Sequence, residues 1–315
     1  MIDQLEHPAP AARDAAEYIA TVFGKTTRAV LHYGSRAQGR MSRPDSAFDF
    51  FVIVDRYGDA YRALAARLGR RRVGLATALA WFLPPNAVAL RRVTAGSELA
   101  LKCLVMSSRH FARECSARAR DHFVSARVAQ RLVLAWSRDD EATAAVTANV
   151  REVRERSFDW VRVFLPQRFD VPQFCGTLIG VSLEHEIRTE RPDHANALFA
   201  AQHDELVALY GAVLMRLHER GVLARDGETF VQTSPPGPLT RARVRAYFRW
   251  SKLRTSLRLL KHPFLYEGWL EYLLQKIDRS TGEKIELTER ERRWPLIFLW
   301  PRAFRYVRTR PQRHR

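Results

Sequence analysis

Apolar positions come in short blocks early in the chain and at helical spacing later. Val30 to Tyr33 is a short apolar run that stops at Gly34-Ser35, and Phe48 to Val54 is a bulky run bounded by turn residues. Runs of this length and composition predict buried strands. Residues 8–23 predict an N-terminal helix, with Pro8 and Pro10 near its start and Tyr18, Ile19, Val22 and Phe23 on one face. Asp59 to Gly69 predicts a second helix, and the following Arg70-Arg71-Arg72 reads as solvated surface. Ala78 to Leu83 and Leu99 to Met106 predict two further strands, with Pro84-Pro85-Asn86 turning the chain between them. Ser107 and Ser108 are placed to cap a helix, and residues 109–136 read as helical and basic.

From Asp139-Asp140 onward the pattern becomes helix-rich, with helices expected over 141–164, 172–187 and 200–220. The last runs into GVLARDGETFVQ, a hairpin signal centred on Asp226-Gly227. A helix feeding a hairpin resembles a winged-helix arrangement. SPPGPLT at 234–240 reads as a linker. The expected fold class is α+β: a strand-bearing domain over 1–136, a helical, winged-helix-like domain over 137–235, and a basic C-terminal segment over 236–315.

Composition narrows the function classes. With 46% hydrophobic residues in 315, there is ample material for a core. No apolar stretch is long enough to span a bilayer, and the opening MIDQLEHPAP lacks the basic and apolar regions of a secretory signal. Cys103, Cys115 and Cys175 are too scattered for a disulfide framework or a zinc site. The expectation is a cytoplasmic protein, and the richness in Arg and Ala suggests a GC-rich bacterial genome. The net charge of +18 is uneven, since residues 241–315 hold 20 Lys+Arg against 7 Asp+Glu. Such asymmetry points to an acidic partner surface. Near the C-terminus Trp294, Leu296, Ile297, Phe298, Leu299 and Trp300 sit among arginines. Basic flanks around an apolar stretch too short to span suggest an interfacial anchor on the inner face of the cell membrane. Nucleic acid is the less expected partner, because stacking would favour aromatics spread along a groove rather than bunched.

The densest candidate chemistry lies in RAVLHYGSRAQGRMSRPDSAFDFFVIVD, residues 28–55. A Gly-Ser turn after a buried strand offers backbone N–H groups and a hydroxyl to phosphate oxygens. Asp49, flanked by Phe48, Phe50 and Phe51, is costly to bury unless it is paired or bound to metal. Strand, phosphate-gripping turn and acidic strand together resemble the core of a polymerase-β-like nucleotidyltransferase. Such cores usually carry two aspartates two residues apart, and here the earlier position is Ala47. Asp55 shares the face of Asp49 but lies roughly 20 Å along a straight strand, and Asp45 reaches only if the chain kinks before Phe48. The second metal ligand stays open. Lys102 interrupts LALKCLVM; it either sits at a sheet edge with its ammonium in water or points into the site to meet phosphate.

Several blocks, in order, resemble the soluble phosphatidate cytidylyltransferases of the mitochondrial translocator assembly and maintenance type. They are HYGS at 32–35, FDFFVIVD at 48–55, ALKCLVMSSRHF at 100–111, HFVSARVAQRLV at 122–133, VSLEHEIR at 181–188 and LVALYGAVL at 206–214. That family also lacks the usual first aspartate. The chain departs from it at Gln130, in place of a lysine, and at Leu183, in place of an aromatic residue. The resemblance implies transfer of a cytidylyl group from CTP to phosphatidic acid with Mg²⁺, giving CDP-diacylglycerol and pyrophosphate. It implies that Tyr33, Gly34, Ser35 and Arg127 bind nucleotide and that Asp49 holds the metal. Asp49 and Lys102 would be catalytic, and Glu186 and Arg188 would meet lipid or phosphate. Other readings remain: a nucleotidyltransferase with another acceptor, a non-catalytic nucleic-acid-binding protein, and a membrane-docking pseudoenzyme.

Overall fold

The computed structural model describes residues 5, 8–39, 47–69, 73–94, 97–184, 194–259, 261, 274 and 287–293. The chain divides into two compact units, Met1–Lys261 and His262–Arg315. In the second unit the described residues include the short helix Glu289–Arg293; the expected aromatic anchor at 294–300 lies outside the described residues. Both expected boundaries, 136 and 235, lie inside the first unit.

The first unit is a mixed α+β structure around a five-stranded sheet. Helix α1 (Pro10–Phe23) starts with proline at its first turn, where the missing N–H costs nothing, and ends at Gly24 with φ 73°. The two apolar runs form the expected strands β1 (Thr27–Tyr33) and β2 (Phe48–Val54), which pair antiparallel. Helices α2 (Tyr57–Leu68) and α3 (Val73–Phe82) follow. The strand expected over Ala78–Leu83 is therefore the end of α3. Its Ala- and Leu-rich sequence has helix propensity, and a six-residue apolar run does not by itself decide the period. The next strand starts later, as β3 (Asn86–Thr94), which pairs antiparallel with β4 (Ser97–Ser107). Ser107 caps α4 (Ser108–Cys115), its hydroxyl accepting from the His110 amide.

The helix expected over 109–136 breaks into α4, the single turn α5 (Ser125–Val128) and strand β5 (Val133–Ser137). β5 forms because it completes the sheet beside β1. The strand order is β3-β4-β2-β1-β5, with β2 and β4 parallel. β4 thus has neighbours on both sides, which removes the reading of Lys102 as an edge residue.

Asp139 caps α6 (Asp140–Val161), accepting from the Ala142 amide at 2.7 Å. Strand β6 (Arg168–Phe169) and helices α7 (Val171–Glu184), α8 (His194–Ala200) and α9 (His203–Glu219) lead into the expected hairpin, β7 (Leu223–Asp226) and β8 (Thr229–Gln232). β6 adds to it as a third strand, which its two-residue length hid from the sequence. The expected linker is the start of another helix, α10 (Pro238–Leu259), with Pro238 at its first position. No described helix is long and apolar enough to cross a membrane.

One core runs through the unit without a break at residue 136. On the sheet face bearing Leu31, Phe51 and Leu104, buried side chains join Phe111 of α4, Phe158 of α6, Phe174 of α7 and Tyr210 of α9. The Tyr210 hydroxyl donates to the carbonyl of Ala129 at 2.6 Å, tying α9 to the turn after α5. On the other face α1 packs against β1, β2 and β5. Helices on both faces leave the strand ends as the place where polar groups meet solvent.

Candidate functional site

Three adjacent strands bring Tyr33, Asp49 and Lys102 into one row. Tyr33 of β1 stands opposite Asp49 of β2, and Asp49 stands beside Lys102 of β4. Alternation puts all three on the face of Leu31, Phe51 and Leu104. The Lys102 ammonium lies 3.5 Å from Asp49 Oδ1, and both side chains keep contact with solvent, at 43% and 26% exposure. A carboxylate half-sunk among phenylalanines is thereby partnered, as its surroundings require.

The turn after β1 closes over this row. Gly34 has φ 86°, and a Cβ there would stand 2.8 Å from Asp49 Oδ2. Only glycine fits both the backbone and the approach of the turn to the carboxylate. The Gln38 amide bonds back to the Gly34 carbonyl at 3.0 Å, making residues 34–39 a closed turn with Ser35 half-buried inside it. The buried Gln38 side chain donates to Gln130 at 3.0 Å, and Gln130 donates to the Ala126 carbonyl at 2.7 Å. Gln130, the departure from the resembled family, thus pins the turn to α5.

Arg127 comes from α5. Its guanidinium lies 3.8 Å above the Phe123 ring and 6.0 Å from the Tyr33 ring, and it donates to the Phe123 carbonyl at 2.7 Å. Burial, and then the charge of Asp49, raise the Tyr33 phenol above its ordinary value. Tyr33 is 7% exposed; it forms a protonated floor to the site. Behind it, burial pushes His32 down to about 4, with Asp49 opposing and Arg36 and Arg131 reinforcing. The imidazole is neutral near pH 7. Cys103 is an inert thiol, raised by burial and then by Asp49.

The structure therefore assembles Tyr33, Gly34, Ser35, Asp49, Lys102 and Arg127. Glu186 and Arg188 lie outside the described residues, as does Asp45. Asp55 is committed elsewhere, at 2.7 Å from Arg138 and 3.7 Å from Arg28. Sequence reasoning missed two cations. Arg36 stacks 4.3 Å from the Phe48 ring centroid, and Arg131 sits next to Gly39 while pairing with Glu205 at 2.9 Å. The first had a signal, since it directly follows Gly-Ser; the second depends on β5 turning back beside β1. No family model and no curated protein matches the chain.

Among the described residues no three His, Cys, Asp or Glu side chains cluster to hold a metal. Asp49 alone fits the protein's share of a Mg²⁺ site, because that ion commonly takes one or two carboxylates and completes its shell from substrate phosphates and water. The arrangement is suited to anions: a glycine turn, an ammonium and a guanidinium converge beside the Asp49 carboxylate.

Proposed function

We propose that the chain is a nucleotidyltransferase that transfers a cytidylyl group from CTP to phosphatidic acid at a membrane surface. The observation that carries this reading is the Lys102–Asp49–Tyr33 row under the Gly34-Ser35 turn. CTP and phosphatidic acid are taken from the family resemblance.

In this reading a phosphatidate oxygen attacks the α-phosphorus of CTP. A P–O bond forms to the lipid phosphate, the bond from the α-phosphorus to its bridging oxygen breaks, and pyrophosphate leaves. The attacking oxygen is already an anion, so the protein need not supply a strong base. Its work is positioning and charge neutralisation. The amides of the Gly34-Ser35 turn and the Ser35 hydroxyl hold the outgoing phosphates. Lys102 offsets the negative charge that builds on them, and Arg127 suits bidentate contact with a phosphate. Asp49 would hold Mg²⁺, which supplies further neutralisation of the triphosphate.

The test mixes protein, Mg²⁺, α-labelled CTP and phosphatidic acid in mixed micelles and counts label in the organic phase. Lipid-soluble label is expected, lost without phosphatidate and in Asp49→Asn. Lys102→Met should lower kcat by about 10²–10³-fold, the usual cost of removing one preorganised charge-stabilising group. Silence with CTP and every other triphosphate, in folded protein, would overturn the enzymatic reading. Pyrophosphate released from CTP in the presence of a water-soluble acceptor, with no lipid-soluble label, would move the proposal to a soluble acceptor.

A further inference from the structure

The loop that leads into α5 is held from α10. Asp121 is fully buried, and its Oδ2 accepts from Arg254 at 2.9 Å and from Arg258 at 2.5 Å. Its Oδ1 accepts from the Phe123 amide at 3.1 Å. The Ser251 hydroxyl of α10 accepts from the His122 amide at 2.8 Å, and Arg258 also donates to the Pro84 carbonyl at 2.8 Å. A buried guanidinium bonded to both a carboxylate and a carbonyl has little freedom left.

Phe123 hands this constraint to the candidate site. Two guanidiniums lie over its ring, Arg127 at 3.8 Å and Arg258 at 4.8 Å from the centroid. Its carbonyl accepts from Arg127 at 2.7 Å, so Phe123 meets that arginine with both backbone and ring. Arg127 in turn lies 6.0 Å from the ring of Tyr33, the residue opposite Asp49. α5 is a single turn of four residues, and so short a helix is marginal alone. The direction of Arg127 therefore depends on what holds the loop before it.

We infer that Arg258, acting through Phe123, is a positioning residue for Arg127, so that α10 completes the nucleotide side of the site. The inference rests on the reading of Arg127 as a phosphate contact for the nucleotide. An arginine side chain ordered before its ligand arrives avoids the ordering cost on binding, which is worth roughly three- to tenfold in affinity. A planar guanidinium suits both positions, because it can stack on a ring while its edges hydrogen-bond, and an ammonium cannot.

The test measures KM for CTP in the mixed-micelle assay with phosphatidate saturating. Phe123→Leu, and Arg258→Lys, which keeps a cation for Asp121, should each raise KM for CTP roughly three- to tenfold. Phe123→Tyr, which keeps the ring face, should stay near the native value. In an Arg127→Lys background, Arg258→Lys should add no further rise, because the two residues act through one contact. A merely structural role would instead lower the active fraction and kcat, leave KM unchanged, and add its effect in the double variant. A second readout needs no nucleotide. The Arg127 Nε–H resonance, identified by its loss in Arg127→Lys, should carry the ring-current shift of Phe123. It should move in Arg258→Lys while circular dichroism stays native. Either of two outcomes would overturn the proposal: an Arg127 resonance unmoved in Arg258→Lys, or a native KM for CTP in both Phe123→Leu and Arg258→Lys. Absence of label transfer by the native chain would remove the proposed reaction, whereas a moved resonance would still show Arg258 positioning Arg127.

Discussion

Gly34 carries two constraints at one atom: its φ of 86° and the 2.8 Å that would separate a Cβ from Asp49 Oδ2. Gly34→Ala is expected to cost about 1–2 kcal/mol from the backbone alone, read as a lower urea midpoint. It should also cut label transfer more than it cuts stability, because the displaced group is the Asp49 carboxylate. The sequence made Gly34, Ser35, Asp49 and Lys102 legible, since each is a polar or conformationally special residue set against a buried apolar run. It did not reveal Arg131, whose distance from the turn is set by strand pairing and not by local pattern. Nor did it reveal that Tyr33 turns inward to floor the site, which follows from its place opposite Asp49 in the sheet.

At the scale of elements, one buried carboxylate docks a whole helix. Asp121 is fully buried and accepts from Arg254 at 2.9 Å and from Arg258 at 2.5 Å, both on α10. Burial would raise its carboxyl, but Arg258 and then Arg254 prevail and hold it below its ordinary value. Asp121→Ala should destabilise by about 3–5 kcal/mol, because the buried Arg258 is left uncompensated. Urea unfolding would measure the loss, and hydrogen exchange should show α10 losing protection first. The elements misread from sequence share a cause. α3 is an Ala/Leu run too short to fix its period, and β5 becomes a strand only by pairing with β1. The capped helices fared better: Ser107 and Asp139 mark their starts by side-chain bonds made within four residues.

Across the whole molecule, Lys261 closes the first compact unit. Its ammonium also approaches the Leu79 carbonyl at 3.5 Å and bonds the Leu83 carbonyl. Burial, and then Arg258 and Arg254, push its pKa down to about 7, against the pull of these oxygens. Between about 7 and its ordinary 10.5, the unfolded chain therefore binds more protons than the folded one. Stability should rise with pH across that window as far as this residue governs it. Unfolding free energies at pH 7 and pH 9 should differ in that sense, and the difference should shrink in Lys261→Met.

The sequence by itself determined the α+β class, the β1–turn–β2 unit, the helix starts at 108 and 140, and the β7–β8 hairpin. These are local matters: periodicity, caps and turn residues act within a few positions, so the chain carries them wherever it folds. Tertiary structure alone decided that β4 lies inside the sheet, which sets Lys102 against Asp49 instead of in open water. It also decided that a single core runs across residue 136, and that α10 is held to the loop at 84–86 and to Asp121. Those outcomes depend on contacts between residues far apart in the chain, from Asp49 and Lys102 to Asp121 and Arg258, where neither periodicity nor propensity reaches.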